Sequence, residues 1–303
     1  MKSAMFDNFE SCLIDSGETA IFIRRAGSGP PLLLLHGFPE THLMWHRVAP
    51  LLTADFTVIC ADLRGYGASG KPASSRDHAP YAKRAMARDM IGMMKKQGFS
   101  RFFLAGHDRG ARAAYRLALD HPDSIDRLAV LDIIPTAEAY GRAGAQFMLA
   151  FWPWSLLVQP TPFPERLIAS SPDAIVDNAL SCWGSDATAF PAEIRNAYID
   201  ALRDPAAVHA ICEEFRAASS LDIAHDETDR EAGRRIECPL LVLWSAESAL
   251  DTWYAEAGGP LGIWRNWARD VRGCALAGGH FFPEQNPVET ADALHSFFDV
   301  DGT

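Results

Sequence analysis

The sequence predicts an α/β fold in which a mostly parallel sheet is interrupted, after a central strand, by an inserted helical cap. Apolar runs alternate with helical patterns through the first half of the chain, as parallel βαβ units require. Helical periodicity without a convincing strand then covers 136–222, and strand-like runs return at Leu240–Leu243 and, more weakly, at Gly273–Leu276. We therefore expect an α/β core formed by 1–135 and 223–303, with the cap at 136–222.

The individual elements follow from the apolar runs and from the residues that flank them. A starting hairpin is predicted with its turn at Ser16-Gly17, and continuous apolar runs predict strands that are buried on both faces. The predicted strands are Leu13–Asp15, Thr19–Arg25, Pro31–His36, Phe56–Asp62, Phe102–His107 and Leu128–Ile134. The predicted helices of the core are Thr41–Leu52, Tyr81–Lys96, Gly110–Asp120, Asp222–Arg235 and Val288–Phe298.

Composition excludes several classes of protein. The 303 residues include 28 Lys and Arg against 39 Asp and Glu, a net charge of −11, which argues against a nucleic-acid binder. No apolar run approaches the roughly 18 residues that a membrane span needs. The acidic start of the chain does not resemble a signal peptide, and none of the six cysteines forms a C-x-x-C pair. We therefore expect a cytoplasmic protein with free thiols.

The segment from Gly106 to Gly110 is the most informative motif. It reads Gly-His-Asp-Arg-Gly and lies between a predicted buried strand and a predicted helix. This is the setting of a nucleophile elbow, where small residues flank one exposed side chain on a strained turn. Serine usually occupies the centre, whereas Asp108 occupies it here. The motif predicts Asp108 as a nucleophile; the alternative is an ordinary helix-capping aspartate.

An aspartate at this position indicates displacement at an sp3 carbon. A carboxylate that attacked an acyl carbon would form a reactive anhydride, whereas attack on carbon bearing a leaving group forms an ester that can be hydrolysed. The electrophile would be a carbon–halogen bond or an epoxide. With an ordinary aspartate pKa of about 3.9 the nucleophile is ionised at neutral pH, so a base is needed only for the second step.

Two partners follow in the chain order that suits this machinery. Asp132 ends a predicted strand, and His280 follows two glycines after the last strand-like run. His280 would take a proton from water while Asp132 fixes its tautomer. Asp251 is the rival acid, because it lies after the next strand.

Two further groups are predicted around the nucleophile. The backbone N–H groups of Phe38 and Arg109 could form an oxyanion hole for hydrolysis of the ester. Arg109 and Arg112 lie three residues apart at the start of the helix, on one face, where they could bind a substrate carboxylate. Structural salt bridges are the alternative role for these arginines.

Two patterns that suggest a cofactor or metal have simpler explanations. The glycines of 65–70 match G-x-G-x-x-G, but Lys71-Pro72 follows and no helix begins there. His42 and His46 have helical spacing but no third ligand nearby in sequence. No cofactor and no metal are therefore expected.

The predicted cap is rich in aromatic residues. Indole N–H groups in an apolar wall suit a halide leaving group, although packing of the cap explains each tryptophan equally well. The residues concerned are Phe147, Phe151, Trp152, Trp154 and Trp183.

Five segments carry a resemblance to a known family, and the resemblance extends over nearly the whole chain. They are HGFPETHLMWHRVAP (36–50), DLRGYGASGKP (62–72), AGHDRGARAAYRLALDHPD (105–123), LDIIPT (131–136) and GGHFFPEQNP (278–287). They resemble haloacetate dehalogenases of the α/β-hydrolase fold, whose best-known members are fluoroacetate dehalogenases. Epoxide hydrolases and haloalkane dehalogenases typically have tryptophan directly after the nucleophile, where this chain has Arg109.

The resemblance implies a role for each candidate residue and a homodimer. It makes Asp108 the nucleophile, His280 the base and Asp132 its partner, and it assigns the carboxylate to Arg109 and Arg112. Its further implications are Phe38 for the oxyanion hole, Trp154 as halide donor and Trp183 as pocket lining.

The chain departs from the family pattern at the expected halide site. Fluoride-releasing members have a His-Trp pair and a later tyrosine, whereas this chain has Pro153-Trp154 and Phe215. Two of three halide donors are therefore missing, and donors to a developing charge matter most for fluoride. We predict a preference for chloro- or bromoacetate over fluoroacetate.

The prediction is thus a hydrolase that converts a short 2-haloacid to the 2-hydroxyacid and halide through an aspartyl ester. One alternative is an epoxide hydrolase with the same machinery, which needs tyrosines such as Tyr140 or Tyr198 to protonate the epoxide oxygen. The other is a non-catalytic binder of a small carboxylate. Intact Asp108, Asp132 and His280 argue against the binder.

Overall fold

The computed structural model describes residues 5–299 and contains an eight-stranded sheet with the order β1-β2-β4-β3-β5-β6-β7-β8. β2 pairs antiparallel with β1 and β4, and the other pairs are parallel. The strands are β1 Glu10–Asp15, β2 Ala20–Ala26, β3 Pro31–Leu35, β4 Thr57–Ala61, β5 Phe102–His107, β6 Ile125–Leu131, β7 Leu240–Ser245 and β8 Val271–Leu276. The predicted mostly parallel sheet is confirmed.

Fifteen α-helices are found in the described part of the chain. In the core they are α1 Ala49–Leu52, α2 Lys83–Lys96, α3 Asp108–Asp120, α12 Ala249–Trp253, α13 Gly259–Trp264, α14 Phe282–Gln285 and α15 Pro287–Phe298. Between β6 and β7 they are α4 Thr136–Gly141, α5 Ala145–Ala150, α6 Pro153–Leu156, α7 Phe163–Ser170, α8 Pro172–Ser181, α9 Ala192–Ala201, α10 Pro205–Ala217 and α11 Ile223–Glu231. None of these helices combines the length and apolarity of a membrane span.

The central strands are buried on both faces because helices cover both sides of the sheet. All residues of β4 and β5 are buried, as the continuous apolar runs predict. On one face α2 and α3 pack through side chains such as Met90 and Leu117. On the other face Trp45 and Phe298 belong to a second apolar cluster. This sandwich holds the carboxyl ends of β5 and β6 in fixed positions.

The segment between β6 and β7 is helical, and we call α4–α11 the helical insertion. It leaves the sheet at the carboxyl end of β6, where ligands bind in open α/β sheets. A short π-helical stretch, Ala218–Asp222, joins α10 to α11. The predicted helix Asp222–Arg235 is shorter in the structure, where α11 ends at Glu231.

Two other predicted helices have different bounds. The predicted helix Thr41–Leu52 divides into a 3-10 helix, His42–His46, and the short α1. Thr41 caps the first of these by accepting a hydrogen bond from the Leu43 N–H at 3.3 Å. The helix predicted from Tyr81 begins at Lys83, because Ala82 has extended backbone angles.

Candidate active site

Asp108 is the first residue of α3, directly after β5. Its φ is 41°, in the left-handed region that non-glycine residues rarely adopt. The N–H of Phe38 donates to Asp108 Oδ2 at 3.1 Å. The sharp strand-to-helix turn therefore presents a carboxylate next to the loop that follows β3.

Asp132, directly after β6, and His280, in the loop after β8, form a direct hydrogen bond. Asp132 Oδ2 lies 2.6 Å from His280 Nδ1, and the other oxygen accepts from the Ser245 N–H at 2.9 Å. Since Nδ1 donates to the carboxylate, Nε2 of a neutral ring is the free acceptor. The φ of Asp132 is also positive, at 55°. Strained backbone at two adjacent site residues is characteristic of functional sites.

The rival acid Asp251 lies elsewhere. It is exposed on α12 and accepts a hydrogen bond from the Trp244 indole N–H at 2.8 Å. The structure thus brings Asp132 to His280 and does not bring Asp251 there.

One cavity is lined by Asp108, Asp132 and His280. Its polar lining comes from Asp108, Arg112, Asp132 and His280 together with Tyr254. Its apolar lining comes from Phe38, Ile133, Ile134, Ala139, Phe147, Phe151, Pro153, Trp154, Trp183, Phe215 and Leu250. The centre of a water-sized molecule can occupy about 40 Å³ of it. One water needs about 10–15 Å³ on this measure, so the cavity holds about three waters, the size of a molecule with few heavy atoms.

The two arginines have different surroundings. Arg112 lines the cavity, and its Nη1 donates to the Ile134 carbonyl at 3.1 Å and to Thr136 Oγ1 at 3.2 Å. Arg109 instead forms a fork with Glu214, in which Nε lies 2.9 Å from both carboxylate oxygens and Nη2 contacts Oε1. Arg109 Nη1 is buried without a hydrogen-bond partner among residues 5–299. Arg112 is therefore the more accessible cation.

Aromatic rings pack against both guanidinium groups. The Arg112 guanidinium carbon lies 4.5 Å from the centre of the Trp154 ring, and that of Arg109 lies 4.0 Å from the centre of the Phe215 ring. The Trp183 indole N–H donates to the Ala150 carbonyl at 2.7 Å, so Trp183 contributes an apolar surface to the cavity. These contacts hold the cations in place without using their N–H groups.

The electrostatics of the site favour an ionised nucleophile. Burial acts to raise the pKa of Asp108, but His280, Arg109, Arg112 and His107 act in the opposite direction. The balance places the pKa of Asp108 below its ordinary value. The carboxylate is therefore charged across the neutral range and can attack without a base.

Some residues of the candidate site were not predicted from the sequence. Glu214 pairs with Arg109 across 105 positions, and no local pattern predicts such a pairing. Tyr254 lines the cavity, whereas Tyr140 and Tyr198 are not among the described residues that line it. Tyr198 donates instead to Glu284 Oε1, at 3.2 Å. Within residues 5–299 no group of three or more His, Cys, Asp or Glu side chains is arranged to hold a metal ion.

The sheet, the elbow and the carboxylate–histidine pair define an α/β hydrolase. The family model for the alpha/beta hydrolase fold matches residues 30–301, and the chain belongs to this family.

Comparisons with individual relatives agree with the resemblance seen in the sequence motifs. The chain is 44% identical to fluoroacetate dehalogenase from Burkholderia sp, over 97% of this chain and 95% of that protein. It is 30% identical to a soluble epoxide hydrolase from Corynebacterium sp., over 90% and 91% of the two chains. A solved structure from Nostoc sp PCC 7120, provisionally assigned as an α/β hydrolase, has a TM-score of 0.93 at 46% identity and covers 97% and 99% of the two chains.

Proposed function

We propose that the protein is a hydrolytic dehalogenase that converts a short 2-haloacid, such as a haloacetate, to the 2-hydroxyacid and halide. One observation carries the proposal: the ionised Asp108 and the guanidinium of Arg112 line the same small cavity. A haloacetate offers a carboxylate to the cation and an adjacent carbon to the nucleophile. The 44% identity to a fluoroacetate dehalogenase supports this substrate class.

The first step is displacement at carbon. Asp108 Oδ attacks the carbon next to the substrate carboxylate, the carbon–halogen bond breaks, and halide leaves with the bonding electron pair. The product is a carboxymethyl ester of Asp108. Arg112, with Arg109 behind it, holds the substrate carboxylate and so fixes the reacting carbon against Oδ.

The second step is hydrolysis of that ester. His280 Nε2 takes a proton from water, the hydroxide attacks the ester carbonyl of Asp108, and Asp132 stabilises the imidazolium. The N–H groups of Phe38 and Arg109 would hold the oxyanion. Collapse breaks the bond between the ester carbonyl carbon and the alkoxide oxygen, and the alkoxide takes the proton of the His280 imidazolium and leaves as the hydroxyacid. The carboxyl proton of Asp108 passes to solvent, which restores the carboxylate.

The halide site favours the larger halides. Trp154 is the remaining donor of the expected set, since Pro153 has no N–H and Phe215 has no hydroxyl. We therefore propose faster release of chloride and bromide than of fluoride. The cytoplasmic location and the homodimer remain predictions.

The test is halide release from chloroacetate, bromoacetate and fluoroacetate. Asp108→Asn is the blank, because haloacetates also release halide when they alkylate free cysteine thiols. We expect release from chloroacetate and bromoacetate that the variant abolishes. Equal or faster fluoride release would contradict the halide preference. If none of the three haloacetates releases halide and a small epoxide is hydrolysed, the result would favour the epoxide hydrolase.

A further inference from the structure

A line of buried side chains leads from Arg112 away from the cavity. Arg112 Nη1 donates to Thr136 Oγ1 at 3.2 Å, and the Tyr115 hydroxyl lies 2.9 Å from that oxygen. The same hydroxyl lies 2.8 Å from Asp226 Oδ2, on α11. The exposed fractions of these residues do not exceed 4%. The line therefore joins α3, the start of α4 and α11 inside the protein.

The direction of each hydrogen bond follows from counting protons. The Tyr115 oxygen accepts from the Thr136 N–H at 3.0 Å, and a phenol has one proton to donate. The carboxylate of Asp226 is the stronger acceptor, so Tyr115 donates there. The Thr136 hydroxyl accepts from Arg112 and therefore donates to Tyr115. All bonds then point from Arg112 towards Asp226.

Neighbouring groups keep the line rigid. The Tyr115 ring packs edge-on against Trp264 and Trp267, with ring centres 5.6 and 6.3 Å away. Asp226 Oδ2 also accepts from the Ala137 N–H at 3.0 Å. Burial raises the pKa of Tyr115 well above its ordinary value, so its hydroxyl keeps its proton.

Arg109 and Arg112 differ in how close their anionic partners lie. Glu214 forms a salt bridge with Arg109 and also contacts Lys83, whereas none of the described residues forms a salt bridge with Arg112. Asp226 instead reaches Arg112 through two hydroxyl groups. The guanidinium thus stays oriented and its charge stays available to an incoming anion.

We propose that Thr136, Tyr115 and Asp226 form a positioning relay that orients the Arg112 guanidinium to bind the carboxylate of the substrate. The proposal deepens the proposed function and rests on it for the identity of the substrate. These are positioning residues, because they act through Arg112. Their loss should weaken the binding of small carboxylates.

The decisive variant is Tyr115→Phe, which keeps the ring between the two tryptophans and removes the hydroxyl. We expect the Kd of acetate, an unreactive probe measured by calorimetry on the full chain, to rise about tenfold. For chloroacetate, KM should rise similarly while kcat changes less, because Arg112 holds the carboxylate in both the ground state and the transition state.

A double-mutant cycle separates positioning from a general structural role. In the Arg112→Ala background, Tyr115→Phe should not weaken acetate binding further, because no guanidinium remains to be oriented. Thr136→Val should behave like Tyr115→Phe, and Thr136→Ser should retain affinity. Tyr81→Phe is the matched control, since it removes a buried hydroxyl that donates to the Pro72 carbonyl.

The outcomes distinguish the relay from the proposed function. Unchanged acetate affinity in Tyr115→Phe, additive effects in the cycle, or no acetate binding by the wild type would overturn the relay. Acetate binding that follows the expected pattern, without halide release from any haloacetate, would overturn the proposed function and leave the relay in place.

Discussion

At the scale of single residues, the proposed mechanism assigns the first step to the carboxylate of Asp108 and the second to His280. Asp108 is ionised because nearby cations outweigh its burial, so displacement requires no proton transfer. In the proposed mechanism His280, held by Asp132 at 2.6 Å, acts only on the ester. The two steps can therefore be separated by one substitution.

His280→Gln should stop the reaction after the first step. We expect one halide released per active site with chloroacetate, and then very slow turnover, because no base activates water. Mass spectrometry should find a carboxymethyl group on the peptide that contains Asp108. Asp108→Asn should show neither the burst nor the added mass, and sustained turnover by His280→Gln would show that another group is the base.

Phe215→Tyr should shift the halogen preference towards fluoride. Phe215 lines the cavity, so a hydroxyl added there can donate to a developing halide. We expect the ratio of fluoride to chloride release to rise by about 10- to 100-fold, the effect of one donor at a developing charge. Phe147→Tyr, which adds a hydroxyl elsewhere in the same cavity, is the control. An unchanged ratio would place the leaving halide away from residue 215.

At the scale of elements, the position of Asp108 depends on how closely α3 approaches β3. A Cβ on Gly110 would come within 2.6 Å of the Leu35 backbone, so only glycine permits this contact. The same approach brings the loop after β3, with the Phe38 N–H, to Asp108. The close packing of α3 against β3 therefore also fixes the position of Asp108 relative to the Phe38 N–H.

Gly110→Ala should therefore reduce both stability and activity. We expect a loss of about 1–3 kcal/mol in the free energy of unfolding, because backbone must move. Halide release should fall as Asp108 shifts. Gly141→Ala is the matched control, because nothing lies within 4 Å of its added Cβ. Urea denaturation and chloroacetate turnover measure both effects, and equal stability of the two variants would contradict the packing argument.

The sequence predicts those elements whose burial is complete. Pro31–Leu35 and Phe102–His107 are continuous apolar runs, and each was predicted within one residue. The helix predicted over Thr41–Leu52 divides because its conformation depends on contacts with the sheet. The order of Asp108, Asp132 and His280 could be predicted from motifs at strand ends. The relay to Asp226 could not, because it joins residues more than a hundred positions apart.

At the scale of the whole molecule, buried charge behind the site links folding to pH. His107 is the last residue of β5, contacts the loop that carries His280 and is fully buried. Its Nδ1 is 3.1 Å from Glu40 Oε2, and its Nε2 is 2.8 Å from the His280 carbonyl. Both nitrogens face acceptors, so the ring is satisfied only as an imidazolium. The two N–H groups of the imidazolium thereby join three regions of the chain.

Loss of the His107 imidazolium proton should make the protein less stable in alkaline solution. Burial acts to lower the pKa of His107, but Glu40, with Asp108 and Asp132, raises it from 6.5 to about 9. Because the folded pKa lies above the unfolded pKa, the stabilisation is complete below pH 6.5 and is lost as the pH rises through about 9. The loss is about 3 kcal/mol, from 1.36 kcal/mol per pKa unit. Urea denaturation from pH 6 to 10 should show this decline in the wild type and a flatter curve in Glu40→Gln. His295→Gln, which removes a partly exposed histidine that pairs with Asp55, should retain the wild-type slope. A wild-type slope in Glu40→Gln would assign the decline to other groups.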